Sequence, residues 1–200
     1  MAIFKIALLA SFMAVMARVE LAEATYYIDA GSSLSIVGSS NVNKFKCLCT
    51  EQFSKSSIQF EPQDGGKILR FSQAGLHIRS KSLDCGNQQM NKDMYKTLRA
   101  DQHPSIRIEL TRAQLQEAQL VSGQDWTTLK AHTQLTIAGI TKPVLFDVKA
   151  KRIASDRIRL TASKDVLMTD FGMEPPTAML GLVKVNNTIC IKMDLIVVMV

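Results

Sequence analysis

Four cysteines are the residues of this chain whose side chains are best suited to chemistry. Cys47 and Cys49 form a Cys-x-Cys pair, and Cys85 and Cys190 stand alone. Zinc sites and dithiol redox centres commonly use cysteines separated by two residues, a spacing that this sequence lacks. We therefore interpret the cysteines as disulfide candidates and expect no metal site.

Strand alternation narrows the pairing of these cysteines. Four cysteines allow three complete pairings, and spacing alone does not select one. Because side chains alternate along a strand, Cys47 and Cys49 share a face with Phe45, whereas Cys190 lies opposite the apolar face of its own strand. We expect a disulfide from Cys85 to either Cys47 or Cys49, with Cys190 joined to neither.

The other reactive side chains form no catalytic pattern. His77, His103 and His132 are far apart in sequence, and we interpret each as a surface residue. The sequence contains no Gly-x-Ser-x-Gly elbow, glycine-rich phosphate loop or His-Glu-x-x-His motif. Asp170-Phe171-Gly172 resembles a kinase motif, but the other kinase motifs are missing. The sequence favours a protein that is not an enzyme and has no cofactor.

The first 24 residues have the order of a secretory signal peptide. Lys5 precedes an apolar run over residues 6–17, and small residues occupy positions 22 and 24. A buried N-terminal helix is the alternative. We expect cleavage after Ala24, with Ala17 or Ala22 as other options, and a single mature domain over residues 25–200. Export places the protein in the periplasm or outside the cell, where disulfides persist.

The sequence argues against a stable membrane anchor and against a nucleic-acid partner. No cysteine is placed to carry an N-terminal lipid, and the apolar run at 193–200 is too short to span a bilayer, so we expect no stable membrane anchor. The formal net charge is +6, but the basic residues are dispersed. The densest run, at 149–160, alternates with apolar residues and has no stacking aromatics, so we expect no nucleic-acid partner.

Most of the chain alternates apolar and polar residues as half-buried strands do. In residues 135–148, LTIAGITKPVLFDV, two apolar faces are separated by a turn. Many short strands of this kind favour an antiparallel sandwich or barrel, a mainly β fold. Met90, Met94 and Leu98 recur at helical spacing and predict one short helix near residues 88–100. Residues 170–182 are rich in glycine, proline and apolar residues and have no strand period.

Four stretches resemble the YceI-like family of bacterial exported proteins. They are SSLSIVGSSNVNKFKC, KSLDCGNQQMNKDMYKTLRADQHPSIRIEL, LTIAGITKPVLFDV and TDFGMEPPTAMLGLVKVNNTICIKMDL, and they occur in the family's order over nearly the whole mature chain. The Cys-x-Cys pair belongs to only some branches of that family. The resemblance implies a single extended antiparallel β-barrel, similar to the lipocalins, that binds a long isoprenoid or other lipid without catalysis.

The resemblance and the alternation together predict a ligand site inside the barrel. The residues expected to line the lumen are Phe45, Ile106, Ile108, Leu110, Leu135, Ile137, Phe146, Val148, Ile189 and Ile191. The helix and an irregular C-terminal segment are expected to form a lid through Met94, Leu98, Phe171 and Met179. The alternative is a barrel filled by its own side chains that serves as an interaction or structural module of the cell envelope. Ligand identity and oligomeric state stay open, a homodimer being one option.

Overall fold

Fourteen strands and one α-helix occur in the residues that the computed structural model describes, 21–116 and 125–200. The strands are β1 Ala22–Ile28, β2 Ser33–Ser39, β3 Lys44–Cys49, β4 Ser56–Gln63, β5 Ile68–Gln73, β6 Gly75–Arg79, β7 Leu83–Asp84, β8 Ser105–Leu115, β9 Thr127–Ile137, β10 Ile140–Ala154, β11 Arg157–Leu167, β12 Thr177–Ala178, β13 Val183–Lys184 and β14 Thr188–Met199. The helix, α1, spans Gln88–Thr97. Residues 1–20 of the predicted signal peptide lie outside the described residues.

Eight of these strands close into an antiparallel barrel. Their order around the ring is β1-β4-β5-β8-β9-β10-β11-β14, and β14 pairs back with β1. The prediction of a mainly β fold built as an antiparallel barrel is therefore confirmed. Strand β1 begins at Ala22, so cleavage after Ala24 would shorten it by three residues, whereas cleavage after Ala17 would leave it whole.

Two long strands change partners along their length, which extends the barrel beyond the ring. The first half of β14, Cys190–Asp194, pairs with β2, and its last residues pair with β1. Likewise the first half of β8, Ser105–Glu109, pairs with β6, and its second half pairs with β5. Strands β3 and β7 continue outward from β2. One end of the barrel is thus walled by β2, β3, β6 and β7.

The apolar residues at alternate strand positions face inward and form a densely packed interior. Leu135 and Phe146 lie on the inward faces of β9 and β10 and are 0% and 1% exposed. On β8 a bulge between Leu110 and Arg112 shifts the alternation by one residue. Ile106 and Ile108 are therefore buried before the bulge, Ala113 and Leu115 are buried after it, and Leu110 is only partly buried.

Helix α1 covers the end of the barrel walled by β2 and β3. The side chain of Asn87 caps it by accepting a hydrogen bond of 3.0 Å from the backbone N–H of Met90. Met94 and Leu98 pack against the barrel core from one face of the helix. The predicted short helix is confirmed.

The segment between β11 and β14 begins with a tight turn and ends in a hairpin. Met168–Phe171 forms a 3₁₀ turn that ends at Gly172, whose φ of 62° is the left-handed conformation that glycine adopts readily. Strands β12 and β13 then form a two-stranded hairpin separate from the barrel sheet. Strand β12 therefore lies within the stretch 170–182 that the sequence marks as irregular, and β13 begins directly after it.

Candidate ligand-binding cavity

An apolar cavity of about 300 Å³ lies between α1, the end of the barrel and the β12–β13 hairpin. Its apolar walls come from Ile36, Phe45, Met90, Met94, Leu98, Met168, Met173, Pro176, Ala178, Val183, Val185 and Ile189, together with the disulfide of Cys47 and Cys85. Polar side chains at the cavity are Ser40, Asn43, Asn87, Gln89, Asp93, Thr97 and Thr177. Among these described lining residues, Asp93 alone carries a formal charge. The cavity therefore suits an apolar molecule with a polar group at one end.

The cavity has a covalent link in its wall. Cys47 of β3 and Cys85, which precedes α1, form a disulfide, while Cys49 and Cys190 are free. The expected disulfide from Cys85 is confirmed, and its partner is Cys47. The Cys85 sulfur also lies 3.6 Å from the Met94 sulfur on α1. The disulfide thus holds the start of the helix against the barrel wall.

The opposite wall of the cavity is fixed by polar contacts at both ends of the 168–187 segment. Asn187 accepts a hydrogen bond of 3.1 Å from the Thr169 backbone N–H and donates one of 2.9 Å to the Thr169 hydroxyl. The Val185 backbone N–H donates to the Pro176 carbonyl at 3.1 Å. These contacts position Met168, Met173 and Val185 along the cavity. Methionine side chains are unbranched and polarizable, so this wall can adapt to an irregular apolar chain.

The structure divides the sequence-predicted site residues among several places. Four of them, Phe45, Met94, Leu98 and Ile189, line the cavity. Eight lie in the buried barrel core: Ile106, Ile108, Leu135, Ile137, Phe146, Val148, Phe171 and Ile191. Leu110 lines a separate cleft, and Met179 is exposed at the tip of the hairpin. Leu98 and Ile189 belong both to the cavity wall and to the core, so the two groups adjoin each other.

Several cavity residues were not among the predicted site residues. Ile36 lies directly opposite Cys47 in the pairing of β2 with β3, and that register is not readable from one sequence. Met168 and Met173 are part of a methionine-rich C-terminal third, which is a signal of an adaptable apolar surface. Val183 lies in β13 and Val185 directly follows it, and a strand of two residues is too short to show a periodicity in the sequence.

A second cleft, of about 740 Å³, has both polar and apolar walls and lies on the side of the barrel where β5 ends and β6 begins. The Tyr26 hydroxyl donates to the Gly75 carbonyl at 3.1 Å, and burial raises the pKa of this phenol, which keeps it protonated. Glu51 and Glu109 also line the cleft. Across residues 21–116 and 125–200, no group of three His, Cys, Asp or Glu side chains is placed to hold a metal ion.

Glu51 is held by two groups of Arg79. Its carboxylate accepts a hydrogen bond of 2.9 Å from the Arg79 backbone N–H and bonds of 3.0 and 3.1 Å from Nε. Burial acts to raise the pKa of Glu51, but the hydrogen bonds and charge of Arg79 outweigh it and lower the pKa below its ordinary value. The carboxylate therefore holds the loop at residues 50–55, between β3 and β4, against β6.

A closed antiparallel barrel with an apolar cavity under a helix defines a lipocalin-like barrel. The YceI-like domain family matches residues 26–197, and the chain belongs to this family. No protein with a curated record matches the chain. In the described part of the chain, no helix has the length and apolar character needed to cross a bilayer.

Solved structures of this family share the fold. A polyisoprenoid-binding domain from Saccharophagus degradans is 15% identical with a TM-score of 0.62, and the match covers 88% of this chain and 98% of that one. BcnA from Burkholderia cenocepacia is 17% identical with a TM-score of 0.60, covering 84% and 98%. The YceI protein of Campylobacter jejuni is 15% identical with a TM-score of 0.52, covering 70% and 78%. At these identities the likeness concerns the fold.

Proposed function

We propose that this protein is an exported, non-catalytic binding protein that holds a long apolar ligand, a polyisoprenoid or another lipid. The observation that carries the proposal is the apolar cavity between α1, the barrel end and the hairpin. Membership of the YceI-like family supports it, as does the polyisoprenoid-binding relative from Saccharophagus degradans.

Apolar burial supplies the binding energy in this proposal. Each methylene transferred from water into the cavity contributes about 0.8 kcal/mol. A volume of about 300 Å³ is at the lower end of the range for small-molecule sites. The cavity therefore holds one end of a long chain, and the amides of Asn43, Asn87 and Gln89 offer hydrogen bonds to a polar group at its rim.

The rest of a long chain passes toward the barrel interior. Leu98 and Ile189 form the boundary between the cavity and the core, and the predicted lumen residues lie beyond them. A longer ligand therefore enters by displacing side chains such as those of Ile106 and Ile191. The predicted lumen residues then contact the part of the ligand that lies beyond the cavity.

The proposed location is the periplasm or the outside of the cell. The signal-peptide pattern of the first 24 residues and the Cys47–Cys85 disulfide both support it, because structural disulfides persist in oxidising compartments.

A second candidate function, a filled barrel acting as an interaction module, is favoured by one observation. Leu135, Ile137 and Phe146 are almost completely buried in the barrel interior, as expected of a core packed with its own side chains. In that case the cavity is a packing defect and carries no ligand.

Mass spectrometry of extracted ligand separates the two functions. Protein exported and purified from its native envelope without detergent should release an isoprenoid or other lipid into organic solvent, in an amount approaching one molecule per chain. Folded protein that releases no lipid, and that also takes up none from added polyprenyl phosphate or fatty acid, would establish the filled-barrel module instead.

A further inference from the structure

Four large apolar side chains are exposed on two turns beside the cavity. Val42 in the β2–β3 turn is 65% exposed, Met179 and Leu182 in the β12–β13 hairpin are 72% and 73% exposed, and Leu180 is fully exposed. We call these four residues the apolar tip. Single exposed apolar residues are common on protein surfaces, but a cluster of them indicates an interaction site.

Hydrogen bonds join the two turns into one unit. The Asn41 side-chain amide donates to the Leu182 carbonyl at 2.9 Å, and its oxygen accepts from the Lys184 backbone N–H at 2.8 Å. The Asn41 backbone N–H also donates to the Lys184 carbonyl at 3.0 Å. The apolar tip is therefore a fixed feature of this end of the barrel.

The backbone of the hairpin gives no structural reason for large apolar residues at its tip. Met179 and Leu180 have φ values of 51° and 57°, in the left-handed region. Glycine and asparagine adopt this conformation with less strain than leucine or methionine. Leu180 thus gains neither packing nor a favourable backbone conformation, and residues held this way are concentrated at functional sites.

Basic residues flank the apolar tip. Lys44 and Lys46 follow the first turn, and Lys184 follows the hairpin tip; all three are exposed. Residues 39–47 and 174–186 contain one acidic residue, Glu174, so these two segments carry a net charge of +2. Exposed apolar side chains with lysines in the adjoining strands match the acyl boundary and the anionic headgroups of a lipid bilayer.

We propose that the apolar tip docks reversibly on an anionic lipid bilayer, with Leu180 and Leu182 inserted below the headgroups. Ala178 and Val183 in the same hairpin line the cavity, so docking brings the cavity to the membrane surface. The docking lets an apolar ligand pass between bilayer and cavity without crossing water. This transfer step rests on the proposed function, whereas the docking itself does not.

The size of the apolar tip argues for a membrane over a protein partner. Stable protein interfaces use about 20–30 residues a side, whereas the tip consists of four apolar side chains on two turns. A second copy of the chain is therefore the weaker alternative, and sedimentation of the free protein tests for it directly.

Vesicle co-sedimentation tests the docking with two variants. The test variant carries Leu180→Asn and Leu182→Ser; the control carries Ile153→Asn, which removes an exposed apolar side chain beside the β10–β11 turn at the opposite end of the barrel. With phosphatidylglycerol–phosphatidylethanolamine vesicles, we expect the partition coefficient of the test variant to fall roughly tenfold or more, since two leucines lose their burial. The control should bind as wild type does, and phosphatidylcholine vesicles should bind wild type more weakly.

A fluorescence readout and a melting curve keep the result interpretable. Leu180→Trp in a Trp126→Phe background leaves one tryptophan, whose emission should shift to shorter wavelength when anionic vesicles are added. The Asn–Ser variant should melt no lower than wild type, because asparagine tolerates the backbone conformation of residue 180.

Three results would overturn the docking proposal. They are equal vesicle binding by wild type and the Asn–Ser variant, no binding by wild type, and a wild-type dimer that the variant abolishes in analytical ultracentrifugation. Lipid extracted from the same preparations is measured separately. Vesicle binding by protein that holds no lipid would support the docking and refute the binding function, whereas bound lipid without vesicle binding would do the reverse.

Discussion

The ring of Phe45 lies directly over Gly38, its partner across strands β2 and β3. A Cβ atom at residue 38 would lie 2.3 Å from the ring's Cζ, far inside van der Waals contact. Glycine is therefore required here by close approach, and the space it leaves lets Phe45 form part of the cavity wall.

Gly38→Ala should displace the Phe45 ring and reshape the cavity. We expect the amount of lipid that co-purifies to fall and stability to drop by about 1–3 kcal/mol, the usual cost of overpacking. Extraction with mass spectrometry and thermal melting measure the two effects. Gly31→Ala is the control, because its Cβ would lie 3.2 Å from Asp29 Oδ1 and 3.6 Å from Ile196 Cδ1, so its neighbours need to move far less than the Phe45 ring. Wild-type lipid content together with a wild-type melting temperature would contradict the contact.

A second comparison separates the cavity from the core. Thr97→Trp places a large ring in the cavity from α1, so we expect it to reduce lipid content while leaving the melting temperature nearly unchanged. Ile137→Trp places the same ring in the buried core, where overpacking should cost about 1–3 kcal/mol or more. If the Thr97→Trp variant retains its full lipid content, the ligand does not enter through this cavity.

Removal of the disulfide should lower stability substantially. Cys47 and Cys85 are separated by 38 residues, and chain entropy for a loop of that size predicts a loss of about 4 kcal/mol in the double Cys→Ser variant. Urea unfolding measures it. Cys190→Ser is the matched control and should unfold as wild type does, since Cys190 is in no disulfide and a serine hydroxyl can keep the contact with the Ser163 hydroxyl, which lies 3.1 Å from the thiol.

Non-reducing peptide mapping checks the connectivity directly. The expected linked peptide joins Cys47 to Cys85. A peptide that joins Cys190 to Cys47 or Cys49 would show that the assignment of strand faces is wrong.

The ion pair of Glu51 and Arg79 predicts that stability depends on pH in the acid range. The pKa of Glu51 in the folded protein is below its ordinary value of 4.5, so the unfolded state binds more protons in the acid range. The pair's contribution is therefore complete above about pH 5 and is lost as the pH falls through the lowered pKa. Glu51→Gln should flatten the decline of the melting temperature below that pH. Arg79→Gln should flatten it partly, because the backbone N–H of residue 79 still donates. An unchanged slope in both variants would contradict the assignment.

Strand alternation made most of the barrel predictable from the sequence. Leu135, Ile137, Phe146 and Val148 are inward on β9 and β10 because their two-residue period continues without interruption. Leu110 marks the limit of this reasoning. It shares a period with Ile106 and Ile108, but the bulge that follows it turns the chain, and a bulge leaves no clear signal in one sequence.

The cavity was only partly predictable because pairing between distant strands creates it. The helical spacing of Met94 and Leu98 identified one wall, whereas the choice of Cys47 over Cys49 depends on the register of β3 with β7, in which Cys49 faces Leu83. Met179 was expected in a lid because it is apolar and lies in a segment without periodicity. Composition does not distinguish a side chain that folds inward from one that projects from a hairpin tip.

The pairing of β1 with β14 sets a constraint on when this barrel can form. The first and last strands of the ring are neighbours, so the ring stays open until β14 has been made and has docked between β11 and β1. Such long-range closure is slow, because the loop entropy is lost before the contacts are gained. A chain that is threaded across a membrane must remain unfolded until it has passed. For the exported protein proposed here, the topology delays folding until the final strand has been delivered.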